Sequence, residues 1–186
     1  MATAGATRLD TVLAQWHWRT RATAWADADA AELLVAFEQV TLAELPATAK
    51  RPGRPASGDR RGVTMVADLL DQGFVLLDAE PHRELVLGQI GQFWRGGSTT
   101  AVPLDGQASF VAFAEPGYAK AAFSLRAQPL DRGAMISVET RLAATDVRTH
   151  RQFNRFWLAG SWTSPAGHQQ LLDTVRRRAT VVVGAS

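Results

Sequence analysis

The sequence predicts an α+β domain in which a curved antiparallel β-sheet wraps around a long C-terminal helix. Three observations predict it. Between Gly73 and Thr145, apolar and polar residues alternate in stretches broken by turn signals, the period-2 signature of strands. Beyond Asp146, apolar residues recur at spacings of three and four, the signature of helix. Glycines stand at 88 and 91 inside "RELVLGQIGQFW", where a strand would normally keep its side chains. Strands that bend around a helix use such glycines, which also leave room between sheet and helix.

The elements follow in order. "AQWHWRTRATAWA" puts Trp16, Trp18, Thr20, Ala22 and Ala24 on one face and His17, Arg19, Arg21 and Thr23 on the other. That is a first strand with one wet side, after a short frayed start. "DADAAELLVAFEQVTLAEL" is a helix capped by Asp27 or Asp29, with Leu33, Leu34, Phe37, Val40 and Leu45 as its apolar stripe. Val40 and Thr41 are poor helix formers, so a second short helix is expected after a break there. Pro46 to Gly62 carries three prolines, three glycines and five basic residues against one acid, and reads as a mobile loop.

Met65, Val66, Leu69 and Leu70 favour a short helix. "GFVLLDAEPHRELVLGQIGQFW" is a hairpin turning at Glu80-Pro81-His82, and residues 107–145 supply three more strands, with turns at 115–117 and 130–133. "DVRTHRQFNRFWLAGSW", capped by Thr145 or Asp146, and "SPAGHQQLLDTVRRRA" are one helix kinked at Pro165 or two meeting there.

Composition excludes several function classes. The 186 residues suit a single domain, 46% hydrophobic and 20% charged, able to bury roughly 70% of its unfolded surface without staples. The absence of cysteine removes disulfides, thiolate metal sites and cysteine nucleophiles, and fits a cytoplasmic protein. The pI near 9.6 beside a net charge of only +2 reflects 18 arginines among 20 basic residues, which titrate only above pH ~12. It is no sign of nucleic-acid binding. No apolar run is long enough for a membrane span, and the start lacks a signal-peptide core.

"RELVLGQIGQFW", "EPGYAKAAFSL", "ISVETRLAATD" and "FNRFWLAGSW" resemble blocks of uncharacterised bacterial members of the START-like (SRPBCC, polyketide cyclase-like and lipid-transfer) superfamily. The resemblance covers most of the chain after Gly73. It implies a helix-grip fold with a cavity between curved sheet and C-terminal helix, and no particular reaction.

The candidate site residues are polar groups on strands and aromatics near the lid helix. Met135, Ser137, Glu139 and Arg141 share one face of a strand, as Tyr118, Lys120, Ser124 and Arg126 do on the strand before it. If that face looks into the cavity, Glu139, Lys120, Arg126 and Arg141 form a buried network fit for ligand binding or acid/base work; if outward, they form a solvated cross-strand ladder. Glu84 shares parity with Val86, Gly88, Ile90, Gln92 and Trp94 and would point a second carboxylate toward the cavity mouth or simply end a strand. Trp94, Phe153 and Trp157 either line an apolar pocket or fill the core.

His17, His82, His150 and His168 lie in different elements without HxH or HExxH spacing, so no metal is expected, and no GxSxG, GxGxxG or P-loop implies a cofactor or nucleophile. The expected function is the binding of a small, largely apolar or lipid-like molecule without covalent chemistry. The alternatives are a cyclase- or dehydratase-type enzyme using Glu139 or Glu84 as general acid/base, and a partner-binding module with a filled core.

Overall fold

The computed structural model describes residues 6–45, 62–94, 101–157 and 165–183, without the side chains at 155–157 and 181–183. Residues 46–61 of the expected basic loop lie outside the described residues. Five strands, β1 (Trp18–Ala26), β2 (Val75–Glu80), β3 (Glu84–Gly91), β4 (Ala119–Pro129) and β5 (Ala134–Ala144), form one antiparallel sheet in the order β1-β5-β4-β3-β2. The helices are α1 (Arg8–Val12), α2 (Ala30–Glu38), α3 (Met65–Asp71), α4 (Gln107–Ala112), α5 (Val147–Trp157) and α6 (Pro165–Val183). The fold is α+β and of the helix-grip kind, with the curved sheet carrying the C-terminal helix on one face.

Strand parity sorts the side chains. On β4 and β5, Phe123, Leu125, Ala127, Ala134, Ile136 and Val138 face α6, where they meet Leu171, Leu172, Val175 and Ala179 and the α2 stripe of Leu33, Leu34 and Phe37. Fully burying one such leucine or phenylalanine contributes about 1.5–3 kcal/mol. The alternate residues face the other way. There Ala122, Val86, Ile90 and Leu77 pack against Leu9, Val12 and Leu13 from α1 and its end, and against Phe110 of α4. The sheet is therefore covered on both faces.

Caps follow local sequence. Asp29, one of the two expected caps, precedes α2 and its N–H donates to Glu32 Oε2 at 3.0 Å. Asp146 accepts from the Thr149 N–H and hydroxyl and from the Gly117 N–H, which holds the start of α5 against the β4 entry and lowers its carboxyl to about 2. At the β4–β5 turn Gly133 has φ +66°, and a Cβ there would stand 2.2 Å from the Ala26 carbonyl oxygen, so only glycine fits.

Four expectations change. Residues 107–112 form helix α4 rather than a strand, with Phe110 as its one buried residue. The chain after Val40 turns instead of making a second helix: Glu44 accepts from the Thr41 N–H and hydroxyl, and Thr41 bridges to Thr64. The frayed start contains α1, capped by Thr7 and Asp10. Finally, Gly88 does not make room beneath the helix. It faces the α1 side, where a Cβ would stand 2.2 Å from Leu77 Cδ1 and 3.1 Å from Phe110. Leu77 reaches that gap from a bulge in β2 between Leu76 and Asp78. Only Gly91 looks toward the helix side, and the Phe93 ring lies over it.

Candidate functional site

The charged residues singled out from sequence come together, but on the α1 face. Glu139 is buried and bidentate to Arg19, at 2.8 Å from Nε and 3.0 Å from Nη2. Arg141 Nε donates to the same carboxylate at 2.6 Å, while its Nη1 donates to the Leu13 carbonyl at 3.0 Å and its Nη2 to Asp10 at 2.7 Å. Burial alone would raise the Glu139 carboxyl, yet the hydrogen bonds and charges of Arg19 and Arg141 outweigh it and hold it below its ordinary value. Burial likewise opposes the Arg141 charge, and its two carboxylate partners win and raise it. Every strong group here has a partner. Such a network fixes α1 to the sheet and leaves no free acid for catalysis near neutral pH.

Glu84 serves the other end of α1. Its carboxylate, 3% exposed, accepts the Arg8 N–H at 3.0 Å, the Leu9 N–H at 3.3 Å and the Ser124 hydroxyl at 2.8 Å. It thus takes up two of the backbone donors that a helix start leaves open. Arg126 is its cross-strand neighbour, 4.0 Å away, too far to hydrogen-bond. Lys120 donates to the Val111 carbonyl at 2.9 Å and stands over the Phe110 ring, and burial lowers its pKa. Of the two facings left open for Glu139, Lys120, Arg126 and Arg141, they take the one away from the C-terminal helix, as Glu84 does. Helices α1 and α4 cover that face, so Glu139 and Arg141 form a buried network rather than a solvated ladder.

The aromatics lie on the helix side. Trp18 packs edge-on to Phe153 at 4.7 Å and stacks on His150 at 4.8 Å; Trp94 meets Phe153 at 5.8 Å. Trp94 parts company with Glu84 because β3 ends at Gly91 and the chain turns there. The Trp157 side chain lies outside the described residues. His17 closes the rim, 4.7 Å from His150, and its Nδ1 accepts the Ala144 N–H; burial, then His150, lower its pKa.

Two polar residues that sequence reasoning passed over complete this side. His168 of α6 is 2% exposed, with Nε2 3.0 Å from the Thr140 hydroxyl and Nδ1 without a partner among the described residues. Burial drives its pKa down to about 4, only partly offset by Glu139, so the ring is neutral at pH 7. Gln89 of β3, also 2% exposed, donates its amide to the Gln72 carbonyl, and its Oε1 has no partner among the described residues. A signal existed for both: His168 falls on the stripe of Leu171, Leu172, Val175 and Ala179, and Gln89 shares parity with Leu85 and Leu87.

No family model matches the sequence, and no curated protein matches it. Among solved structures, protein MLL2253 from Mesorhizobium loti is 12% identical with a TM-score of 0.41, over 88% of this chain and 98% of that one. The di-domain ARO/CYC BexL from the BE-7585A biosynthetic pathway is 14% identical with a TM-score of 0.38, over 87% of this chain and 50% of that one. An AHSA1-like protein from Rhizobium etli is 10% identical with a TM-score of 0.35, over 86% and 82%. Likenesses this distant carry no argument about activity or ligand.

Proposed function

We propose that this chain binds a small, largely apolar molecule with hydrogen-bonding groups, held between the sheet and helices α5 and α6. The observation that supports this reading is the pair of buried atoms on that side, His168 Nδ1 and Gln89 Oε1, that have no partner among the described residues. A buried polar atom left without a partner costs about 1–3 kcal/mol, so two on one face call for something that completes them. A ligand hydroxyl donating to Gln89 Oε1 and a second polar group on His168 would do so.

The surroundings support the same reading. Gln89 pairs in register with Ala121, whereas Thr140, the His168 partner, pairs with Phe123 two residues along β4. Strand spacing and rise then put the two backbone anchor points about 12 Å apart, a span suited to a molecule of several fused rings. The sheet floor nearby is made of small residues, Ala119, Ala121 and Gly91, and the border is Phe93, Phe123, Phe153 and Trp18. Small floors and aromatic walls with a few polar groups are the usual composition of ligand sites.

The test is a titration of the intact chain with 8-anilinonaphthalene-1-sulfonate, followed through the ring nitrogens of His168 and the side-chain amide of Gln89 by 15N NMR. The expected result is a saturable shift at both residues. Saturation elsewhere with both signals unmoved contradicts the reading.

A further inference from the structure

A second site lies on the opposite face, at the other end of α1 from Arg141. A cleft of about 340 Å³ opens between the start of α1, the β2–β3 turn and the end of β4, lined by Arg8, Arg83, Arg126, Glu80, Glu84 and Gln128 among others. Three guanidiniums thus meet two carboxylates. Glu84 gathers them: Arg8 gives it a backbone hydrogen bond, Arg126 is its cross-strand partner, and Arg83 precedes it while its carbonyl accepts the Ala127 N–H.

The guanidiniums themselves are poorly used. Arg8 stands 3.5 Å from Asp78 and 3.6 Å from Glu80, Arg83 stands 3.7 Å from Glu80, and Arg126 stands 4.0 Å from Glu84. These separations give attraction without hydrogen bonds, and among the described residues none of the three side chains donates one. Glu84 is already engaged, its Oε1 by Leu9 and Ser124 and its Oε2 by the Arg8 N–H, and no guanidinium among the described residues reaches it within hydrogen-bonding distance. Arg126 is the most enclosed, its side chain 27% exposed against 44% for Arg8 and 57% for Arg83. A planar fork with free donors at the floor of a cleft, with two more at its walls, suits a carboxylate or phosphate oxyanion, which binds arginine through paired short hydrogen bonds.

We propose that this cleft is a binding site for a small organic anion carrying a carboxylate or phosphate group, with Arg126 at its floor and Arg8 and Arg83 at its rim. It is separate from the helix-side site, with the sheet between them. A ligand that bridged Arg8 and Arg126 would also tie the start of α1 to β4.

The experiment titrates the intact chain with citrate and, separately, with inorganic phosphate, reading the arginine Nε–Hε resonances. A saturable shift of Arg126 is expected with at least one of the two, and which one identifies the oxyanion. Arg126→Gln and Arg83→Gln are each expected to weaken binding about tenfold, while Arg176→Gln on α6 leaves it unchanged. Arg83 touches neither α1 nor the buried carboxylate, so its variant stays informative if Arg126→Gln is unstable. A shift that rises linearly with both anions, or affinity unchanged in Arg83→Gln, overturns the proposal.

Discussion

Arg141 and Glu139, two positions apart on the same face of β5, are joined at 2.6 Å, and that bond belongs to the seat of α1. The guanidinium spans three partners that a smaller cation could not reach together: Glu139, the Leu13 carbonyl and Asp10. Glu84 performs the matching task at the other end of the helix, five residues long and too short to persist unaided. The charges that look catalytic in the sequence thus fasten a helix to the outer face of the sheet.

Arg141→Leu is expected to destabilise the chain by about 2 kcal/mol, since it removes one of the two guanidiniums bonded to the buried Glu139 carboxylate and leaves the Leu13 carbonyl without its donor. Arg141→Lys recovers only part of this, because a single ammonium replaces a three-way fork. Urea unfolding followed by circular dichroism measures both. A loss under about 1 kcal/mol for the leucine variant contradicts the role.

Glu84→Ala leaves two α1 amides and the Ser124 hydroxyl without an acceptor. Hydrogen exchange is the sensitive measurement. Protection of the α1 amides is expected to vanish while that of β4 and β5 persists, with a global loss of about 2 kcal/mol. Uniform loss across the sheet would mean that Glu84 supports more than the helix.

Gly88→Ala pushes a methyl into Leu77 and Phe110. Overpacking of this kind costs about 1–3 kcal/mol. Adding Leu77→Ala removes the nearest atom, so the double variant is expected to lose less than the sum of the singles. Strict additivity would show that the bare backbone at 88 serves some other purpose.

His168 gives the chain an acid-sensitive interior. Its folded pKa of about 4 lies below the ordinary 6.5, so the unfolded chain binds a proton that the folded chain refuses between those values. The stability is complete above pH 6.5 and declines as pH falls toward 4, by about 1.5 kcal/mol between pH 6.5 and 5. His17, shifted in the same direction by burial, adds to the trend. Thermal melts of wild type and His168→Gln across this range separate the two: the variant is expected to show a visibly shallower slope. Equal slopes would place the His168 ring in contact with water.

The order of strands and the terminal helices were legible because period-2 and period-3.6 patterns are local, and the two turns that join paired strands, β2 to β3 and β4 to β5, carry Pro, Asp or Gly. Which face met α6 was not. Parity puts Glu139 with Arg141 but leaves both faces open, and the decisive fact, that α1 covers their side, depends on five residues too few to show a period. Gln107–Ala112 misled because Phe110 and Phe113 among alanines fit strand and helix equally. Gly88 was read as leaving room beneath the helix, whereas Leu77 closes over it on the other face, from a bulge no pattern announces.

The guest proposed for the helix side of the sheet is one that completes His168 and Gln89. Native mass spectrometry of the chain isolated from its own cells tests this most directly. An added mass of a few hundred daltons is expected, held at neutral pH, released on unfolding, and absent when His168→Phe and Gln89→Leu are combined. The bare polypeptide mass in the wild type, or an adduct equally abundant in the double variant, would contradict it.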